Sequence, residues 1–241
     1  MRDCSKRAVA SLKRAARCAT SGLESSATAP DLPPGASLWT SFVSRREHDK
    51  LVSTVDSARW QDPHESGISR RTQQYGWQYQ YCTAGGDYSE SAKGTELNLH
   101  LGDLPEWLNV LVERAADRGI TCARFNQVSI NEYVDGRGIG QHVDTVNGFE
   151  GPVASLSLLS HVALTLKKNG TRDSEDGQER TVVLPPCSLL LLDGESRYHW
   201  SHGIKSKNRK KKEDVVNGIV YPRARRIAVT FRVVSLQEAN A

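Results

Sequence analysis

Two separated stretches of this chain carry side chains that could hold a metal ion. One is His142-Val143-Asp144; the other is Ser196-Arg197-Tyr198-His199-Trp200-Ser201-His202-Gly203-Ile204, with two histidines. In an extended strand, residues i and i+2 project to the same side, so His142 and Asp144 can reach one ion while Val143 faces packing. A histidine from the distal stretch would complete a set of two imidazoles and one carboxylate. Such a set leaves coordination positions open, which suits a non-haem ferrous ion that must also receive a co-substrate and oxygen. An H-x-D pair alone is a weak signal, because a surface histidine beside an acid is the commoner reason for it. His199 and His202 lie three apart and would face opposite sides of an extended segment, so only one of them can serve.

A second group has the chemistry of anion binding. Arg226 and Arg232 are an even number of residues apart, so on one strand both guanidinium groups project from the same face, together with Ala228 and Thr230. A dicarboxylate held near a metal needs a permanently charged, bidentate partner, which arginine supplies better than lysine. Asn131 and Tyr133 share a face by the same rule. The plain alternative is a solvated terminal strand.

Taken in order, Asn131-x-Tyr133, His142-x-Asp144, the stretch Ser196 to Ile204, and Arg226 with Thr230-Phe231-Arg232 resemble the signature of the AlkB family of 2-oxoglutarate/Fe(II)-dependent dioxygenases. The resemblance implies a distal ligand in the His-Gly-Ile element and so selects His202 over His199. It makes His142, Asp144 and His202 the catalytic metal ligands, and Asn131, Tyr133, Arg226 and Arg232 the residues for 2-oxoglutarate. The cofactors it implies are Fe(II), 2-oxoglutarate as co-substrate, and O2. Some members carry a polar residue where this chain has Ala228. Within the family, Gly136 to His142, Ser155 to His161 and Gly194 to Tyr198 are similar to the branch that hydroxylates modified wobble uridines in tRNA. The expected activity is oxidation of a modified or alkylated nucleobase, with wobble-uridine hydroxylation in tRNA favoured. The alternatives are oxidative demethylation of alkylated DNA or RNA bases, or hydroxylation of a protein or small molecule on the same fold.

The substrate side is expected in Arg70 to Tyr81, where Tyr75, Trp77, Tyr79 and Tyr81 alternate with small or polar residues. As one strand this would place four rings on one side, a surface on which an extruded base could stack at about 1–3 kcal/mol per base. The segment resembles the family's nucleotide-recognition lid, with Trp77 and Tyr79 as base-contacting residues and Arg70 and Arg71 meeting phosphates. The competing reading is the buried face of a strand. Lys205, Lys207, Arg209, Lys210, Lys211 and Lys212 in one loop, with Arg223 and Arg225, would add phosphate contacts and a steep salt dependence. Nucleic acid, tRNA above all, is the expected partner. Members of the branch in animals also carry an RNA-recognition domain, a methyltransferase domain and a cysteine-rich tail, for which these residues leave no room, so a separate tRNA methyltransferase is a further expected partner. The chain itself is expected to be a monomer.

Positioning such a site requires a sheet scaffold, and the pattern supplies one. Ser44 with Glu47 forms a capping box ahead of Leu51, Val52 and Val55, predicting a helix over 45–57. A second helix starts near Pro105, carries Leu104, Leu108, Leu111 and Ala115 on one stripe, and stops at Gly119. Beyond Thr121 the helical period gives way to short Val/Ile/Leu/Thr-rich runs: 127–133, 153–158, 161–166, 181–184, 188–192 and 227–234. Lys167 to Arg180 and the basic Lys205 to Asp214 read as exposed hairpin insertions. The fold class is mainly β with flanking helices, a double-stranded β-helix (jelly-roll) core. The dioxygenase domain is expected over 37–237, behind a basic, disordered tail over 1–36, for which a presequence is the alternative.

Composition sets the bounds. The excess of 32 basic over 28 acidic residues is only +4, so charge arguments rest on local clusters. The five cysteines form no C-x-x-C pair, which points to reduced thiols inside a cell. The most apolar run, Val182 to Leu192, is broken by Pro185 and Pro186 and falls short of the roughly 20 residues a membrane span needs. The expected location is intracellular, cytoplasmic or nuclear, with mitochondria as the alternative suggested by the basic N-terminus.

Overall fold

A computed structural model of the protein describes residues 31–63, 70–79, 97–146, 148–169, 178–207 and 212–235. The stretch expected as a tail lies mostly outside them; at its end Leu32 and Ala36 pack against an apolar cluster. Most of the described chain is strand. A six-stranded sheet runs in the order β1 (Ala36–Trp39), β10 (Leu189–Leu192), β7 (Phe149–Leu159), β14 (Arg226–Val234), β5 (Gln127–Tyr133) and β2 (Thr72–Tyr75). A four-stranded sheet runs β6 (Ile139–His142), β11 (Trp200–Ile204), β8 (Val162–Lys168) and β9 (Glu179–Leu184). Every pairing is antiparallel. This is the expected jelly-roll of two sheets.

The side-chain alternation of the strands explains how the sheets are filled. On β5, Val128 and Ile130 face one way and join Leu156, Leu158, Ile227, Val229 and Phe231 from β7 and β14 in the main apolar cluster. Helix α1 (Arg45–Ser57) and helix α2 (Glu106–Asp117) cover that face with Leu51, Val55, Leu108, Leu111 and Ala115. The residues between them on β5, Gln127, Ser129, Asn131 and Tyr133, are also buried and face the opposite way. This buried polar row is satisfied within the interior, where Gln127 Nε2 donates to Ser129 Oγ at 2.8 Å and Arg232 Nη1 donates to Gln127 Oε1 at 3.4 Å, so the space between the sheets has a polar wall. On the four-stranded sheet, Leu164, Leu166, Val182, Leu184 and Trp200 close a second apolar cluster with Leu190 and Leu192.

Both helices appear where the periodicity places them, and the Ser44–Glu47 capping box forms in both directions. Arg114 of α2 pairs with Glu47, tying the two helices at their exposed ends. Between β8 and β9 lies the first expected hairpin insertion, of which 170–177 fall outside the described residues. The second differs from expectation. Its two sides are held down by Lys207 to Asp214 (3.1 Å) and Lys212 to Asp135 (2.8 Å), and the hairpin proper is β12 (Glu213–Val216) and β13 (Ile219–Pro222), turning on Asn217-Gly218. Residues 208–211, with Arg209, Lys210 and Lys211, lie outside the described set.

The aromatic stripe is corrected. Gly76 has φ +76°, and a Cβ there would meet the Asn126 carbonyl oxygen at 1.9 Å, so the backbone breaks between β2 and the short β3 (Trp77–Tyr79). The pleat does not continue across this break. Tyr75 stands edge-on to Trp107 beside the core, whereas Trp77 packs on His100 of β4 (Leu97–His100) in a separate two-stranded ribbon. The Tyr79 side chain and all of Tyr81 lie outside the described residues. Among the described residues, Cys122 and Cys187 are free thiols, and no helix is long and apolar enough to cross a membrane.

Candidate metal centre

His142 and His202 are direct partners on the antiparallel pair β6 and β11. Opposite residues on neighbouring strands share a face, and the two rings stand 4.5 Å apart between centroids. Gly138 permits this: a Cβ there would lie 1.9 Å from the Ile204 carbonyl oxygen, so the start of β6 closes onto the end of β11. The His142 Nδ1 faces the Gly140 carbonyl at 2.9 Å and must carry its proton there, since a carbonyl only accepts. That leaves Nε2 as the lone-pair nitrogen, the usual arrangement for a metal-binding histidine.

Asp144 does not stand on the strand as expected. β6 ends at His142, and Asp144 sits in the irregular stretch beyond it. It nevertheless comes to the same place: its Oδ2 lies 3.5 Å from the His202 Nε2, and one ligand atom from each of His142, Asp144 and His202 falls within 4.8 Å of the others. Burial alone would raise the Asp144 carboxyl, but the Arg232 charge and hydrogen bonds outweigh it and hold the group well below the usual carboxylate range. Burial, with His142 alongside, pushes the His202 imidazole down to about 3, so it is neutral at physiological pH. An anionic carboxylate and two imidazoles form a donor set suited to Fe(II). His199 caps the short helix α3 (Gly194–Tyr198) and stands outside the cluster.

The arginines divide their work. Arg232 donates from Nε and Nη2 to the same Asp144 oxygen, Oδ1, at 3.1 and 2.5 Å, leaving Oδ2 turned to the histidines. Arg226 lies deeper, opposite Tyr133 in the β14–β5 register, with its guanidinium 5.4 Å from the ring centroid. Its Nη2 donates to Ser157 Oγ at 2.9 Å, while its Nε is buried without a hydrogen-bond partner among the described residues. Burial lowers the Arg226 pKa to about 10, still well above neutrality. A buried, charged guanidinium with an unused donor fits the carboxylate of a dicarboxylate co-substrate. Asn131 and Tyr133 line the same face, as expected.

The residues expected at the substrate surface are placed differently. Arg70 is buried, donates from Nε to Asn131 Oδ1 at 3.1 Å and lies 5.3 Å from the Tyr133 ring centroid, so it belongs to the interior wall and not to a phosphate surface. Arg71 points the other way, as strand parity requires, and pairs with Glu132 at 2.7 and 2.8 Å over the Trp60 ring. Arg225 joins the same Glu132 and also pairs with Asp56. Arg223 is buried and donates to the Lys205 and Arg137 carbonyls at 2.6 Å each. These four arginines hold the fold together. Ser157 and Arg197 are additions that motif spacing does not supply. For Ser157 a signal exists, a polar residue at a regular alternation inside the apolar β7 run.

Against known proteins, residues 35–232 match the family model described as the 2OG-Fe(II) oxygenase superfamily. The chain is 31% identical over 219 residues to an alkylated DNA repair protein ALKBH8 homolog of Arabidopsis thaliana, covering 83% of this chain and 58% of that protein. It is 32% identical over 175 residues to the tRNA (carboxymethyluridine(34)-5-O)-methyltransferase alkbh8 of Xenopus tropicalis, covering 73% of this chain and 26% of that protein. The chain thus spans between about a quarter and three fifths of these relatives' lengths. Among solved structures, that of OsALKBH1 aligns with a TM-score of 0.56 at 18% identity, over 85% of this chain and 100% of that one, which is a likeness of fold.

Proposed function

Because the chain belongs to the 2OG-Fe(II) oxygenase superfamily, we propose that it oxidises a modified or alkylated nucleobase, and specifically that it hydroxylates a modified wobble uridine in tRNA. Family membership makes it a 2-oxoglutarate-dependent dioxygenase, an oxidoreductase that takes Fe(II), 2-oxoglutarate and O2. The observation carrying the proposal is the convergence of His142, Asp144 and His202 at the end of a polar-walled interior that also contains Arg226 with a buried, unused donor. Iron and 2-oxoglutarate, when bound, would allow O2 to be used as the oxidant: one of its atoms would enter a substrate C–H bond and the other the succinate formed as 2-oxoglutarate loses carbon dioxide.

The chain's own residues do the rest. His142, Asp144 and His202 would hold the ion, a donor set that leaves coordination positions for co-substrate and oxygen. Arg226 and Ser157 would bind a carboxylate of the co-substrate, with Asn131 and Tyr133 as further hydrogen-bonding partners. Arg232 keeps Asp144 ionised and turned toward the histidines, and would also meet a carboxylate of the co-substrate.

The tRNA substrate is supported by the likeness to relatives named for a carboxymethyluridine at position 34. A second reading, oxidative removal of alkyl groups from damaged bases, is favoured by the likeness to a relative named for alkylated-DNA repair. Incubating iron-loaded protein with 2-oxoglutarate and total tRNA, and comparing nucleoside masses with a His142→Ala variant, decides between them. A gain of one oxygen confined to wobble uridines supports hydroxylation. Loss of methyl groups from adenine or cytosine supports repair, and identical nucleosides in both samples contradict both.

A further inference from the structure

Arg197 stands in the stretch that delivers His202, yet its side chain turns to the other ligand segment. It is 2% exposed, donating from Nη1 to the Asp144 carbonyl at 2.7 Å and from Nη2 to the Thr145 carbonyl at 3.0 Å. Its Nε is buried with no hydrogen-bond partner, and its guanidinium carbon lies 5.0 Å from the Tyr198 ring centroid. Among the described residues its hydrogen bonds go to neutral carbonyls and no carboxylate bonds it directly, so its desolvation is offset only at longer range by the nearby Asp144 charge. An aliphatic side chain of similar length would fill the volume at lower cost to the fold.

What the arginine does supply is directional. Asp144 lies beyond the end of β6, so no ladder hydrogen bond fixes its main chain. A planar fork that grips two successive carbonyls fixes the peptide between them in a way one amine cannot. The fork is itself anchored: α3 starts at Asp193 with a capping box in both directions, and His202 follows on β11. One short segment therefore carries a histidine ligand and grips the backbone of the aspartate ligand. Arg232 holds the same aspartate by its carboxylate.

We propose that Arg197 is a positioning residue of the metal centre, fixing the Asp144 main chain so that His142, Asp144 and His202 meet with preset geometry. The inference rests on reading those residues as the metal site, and its test separates the two. Metal-free protein is titrated with Co(II), followed by visible absorption, alongside thermal unfolding of the metal-free form. Wild type is expected to bind one Co(II). Arg197→Met is expected to weaken binding about ten- to a hundred-fold, the usual effect of losing an outer partner of a ligand, while metal-free stability stays near wild type. Arg197→Lys, which keeps the charge and one donor, should fall between.

Wild-type affinity in either variant overturns the role assigned to Arg197, as does a fall in affinity matched by an equal loss of metal-free stability. Failure of both variants to fold also overturns it, since Arg197 would then be a residue of the fold alone. A wild-type protein that binds no Co(II) removes the underlying site instead, before any variant is compared.

Discussion

Each arginine around the interior is defined by its partner, and the partners predict separable effects. Arg226 has Ser157 as its hydrogen-bond partner and a buried, unused Nε, so its task is the co-substrate. Arg226→Met should weaken 2-oxoglutarate binding by about 1.5–3 kcal/mol, roughly ten- to a hundred-fold, the value of hydrogen bonds to a charged group. Co(II) affinity should not change. Calorimetry of the cobalt-loaded variant checks this, and wild-type affinity for 2-oxoglutarate would remove Arg226 from the site. Arg232→Met should weaken metal binding as well, because Asp144 then loses the charge that keeps it ionised in a buried place. The metal ligands are legible in the sequence through the family resemblance, which selects His202 over His199; H-x-D spacing alone is a weak signal, and Asp144 reaches the site from beyond the end of β6. Arg70 is not, because two consecutive arginines read as a surface pair. Strand parity sends Arg70 inward beside Asn131 and Arg71 outward to Glu132.

Turns and caps decide where the elements place those residues. Gly76→Ala should cost about 1–3 kcal/mol, since a left-handed φ and a Cβ pressed onto the Asn126 carbonyl cannot both be relieved. Chemical denaturation measures this; a neutral result would mean that the break between β2 and β3 is not fixed by the glycine. The Glu47 carboxyl is lowered to about 2, chiefly by its hydrogen bond to Arg114 and then by Ser44. A depressed acid stabilises the fold above its unfolded pKa, near 4.5, and that contribution disappears as pH falls toward 2. Because the carboxylate is 40% exposed, its worth at neutral pH is under about 1 kcal/mol. Glu47→Gln should therefore be slightly less stable than wild type at pH 7 and equal to it near pH 2, which denaturation at the two pH values tests. Both helices are legible from periodicity and capping. The β12–β13 hairpin has a strong signal of its own, Asn217-Gly218 between apolar pairs, but the lysine run before it draws the expected boundary to the wrong place. Tyr75 and Trp77 read as sharing one face only when alternation is counted through a glycine that interrupts it.

At the scale of the whole molecule, the two sheets are readable from runs of β-branched and aliphatic residues, but their pairing is not. That His142 meets His202 directly depends on which strands become neighbours, a long-range choice that local spacing does not encode. Surface charge is misread from sequence for the same reason: Arg71, Arg223 and Arg225 find internal partners only once distant segments come together. On the proposed tRNA reading, phosphate contact is assigned to exposed Lys205 and to Arg209, Lys210 and Lys211, the last three of which lie outside the described residues. Changing those four to serine should weaken tRNA binding and flatten its dependence on log salt by about 0.7–0.9 for each phosphate that is no longer neutralised, leaving 2-oxoglutarate and metal affinity unchanged. Filter binding across a salt series checks this, and an unaltered slope would place the nucleic acid elsewhere. The most direct test of the metal centre is the stoichiometry of anaerobic Fe(II) binding in wild type, His199→Ala and His202→Ala proteins. One iron per chain in the first two and none in the third is the predicted result; retention of iron by His202→Ala, or its loss in His199→Ala, would contradict the site.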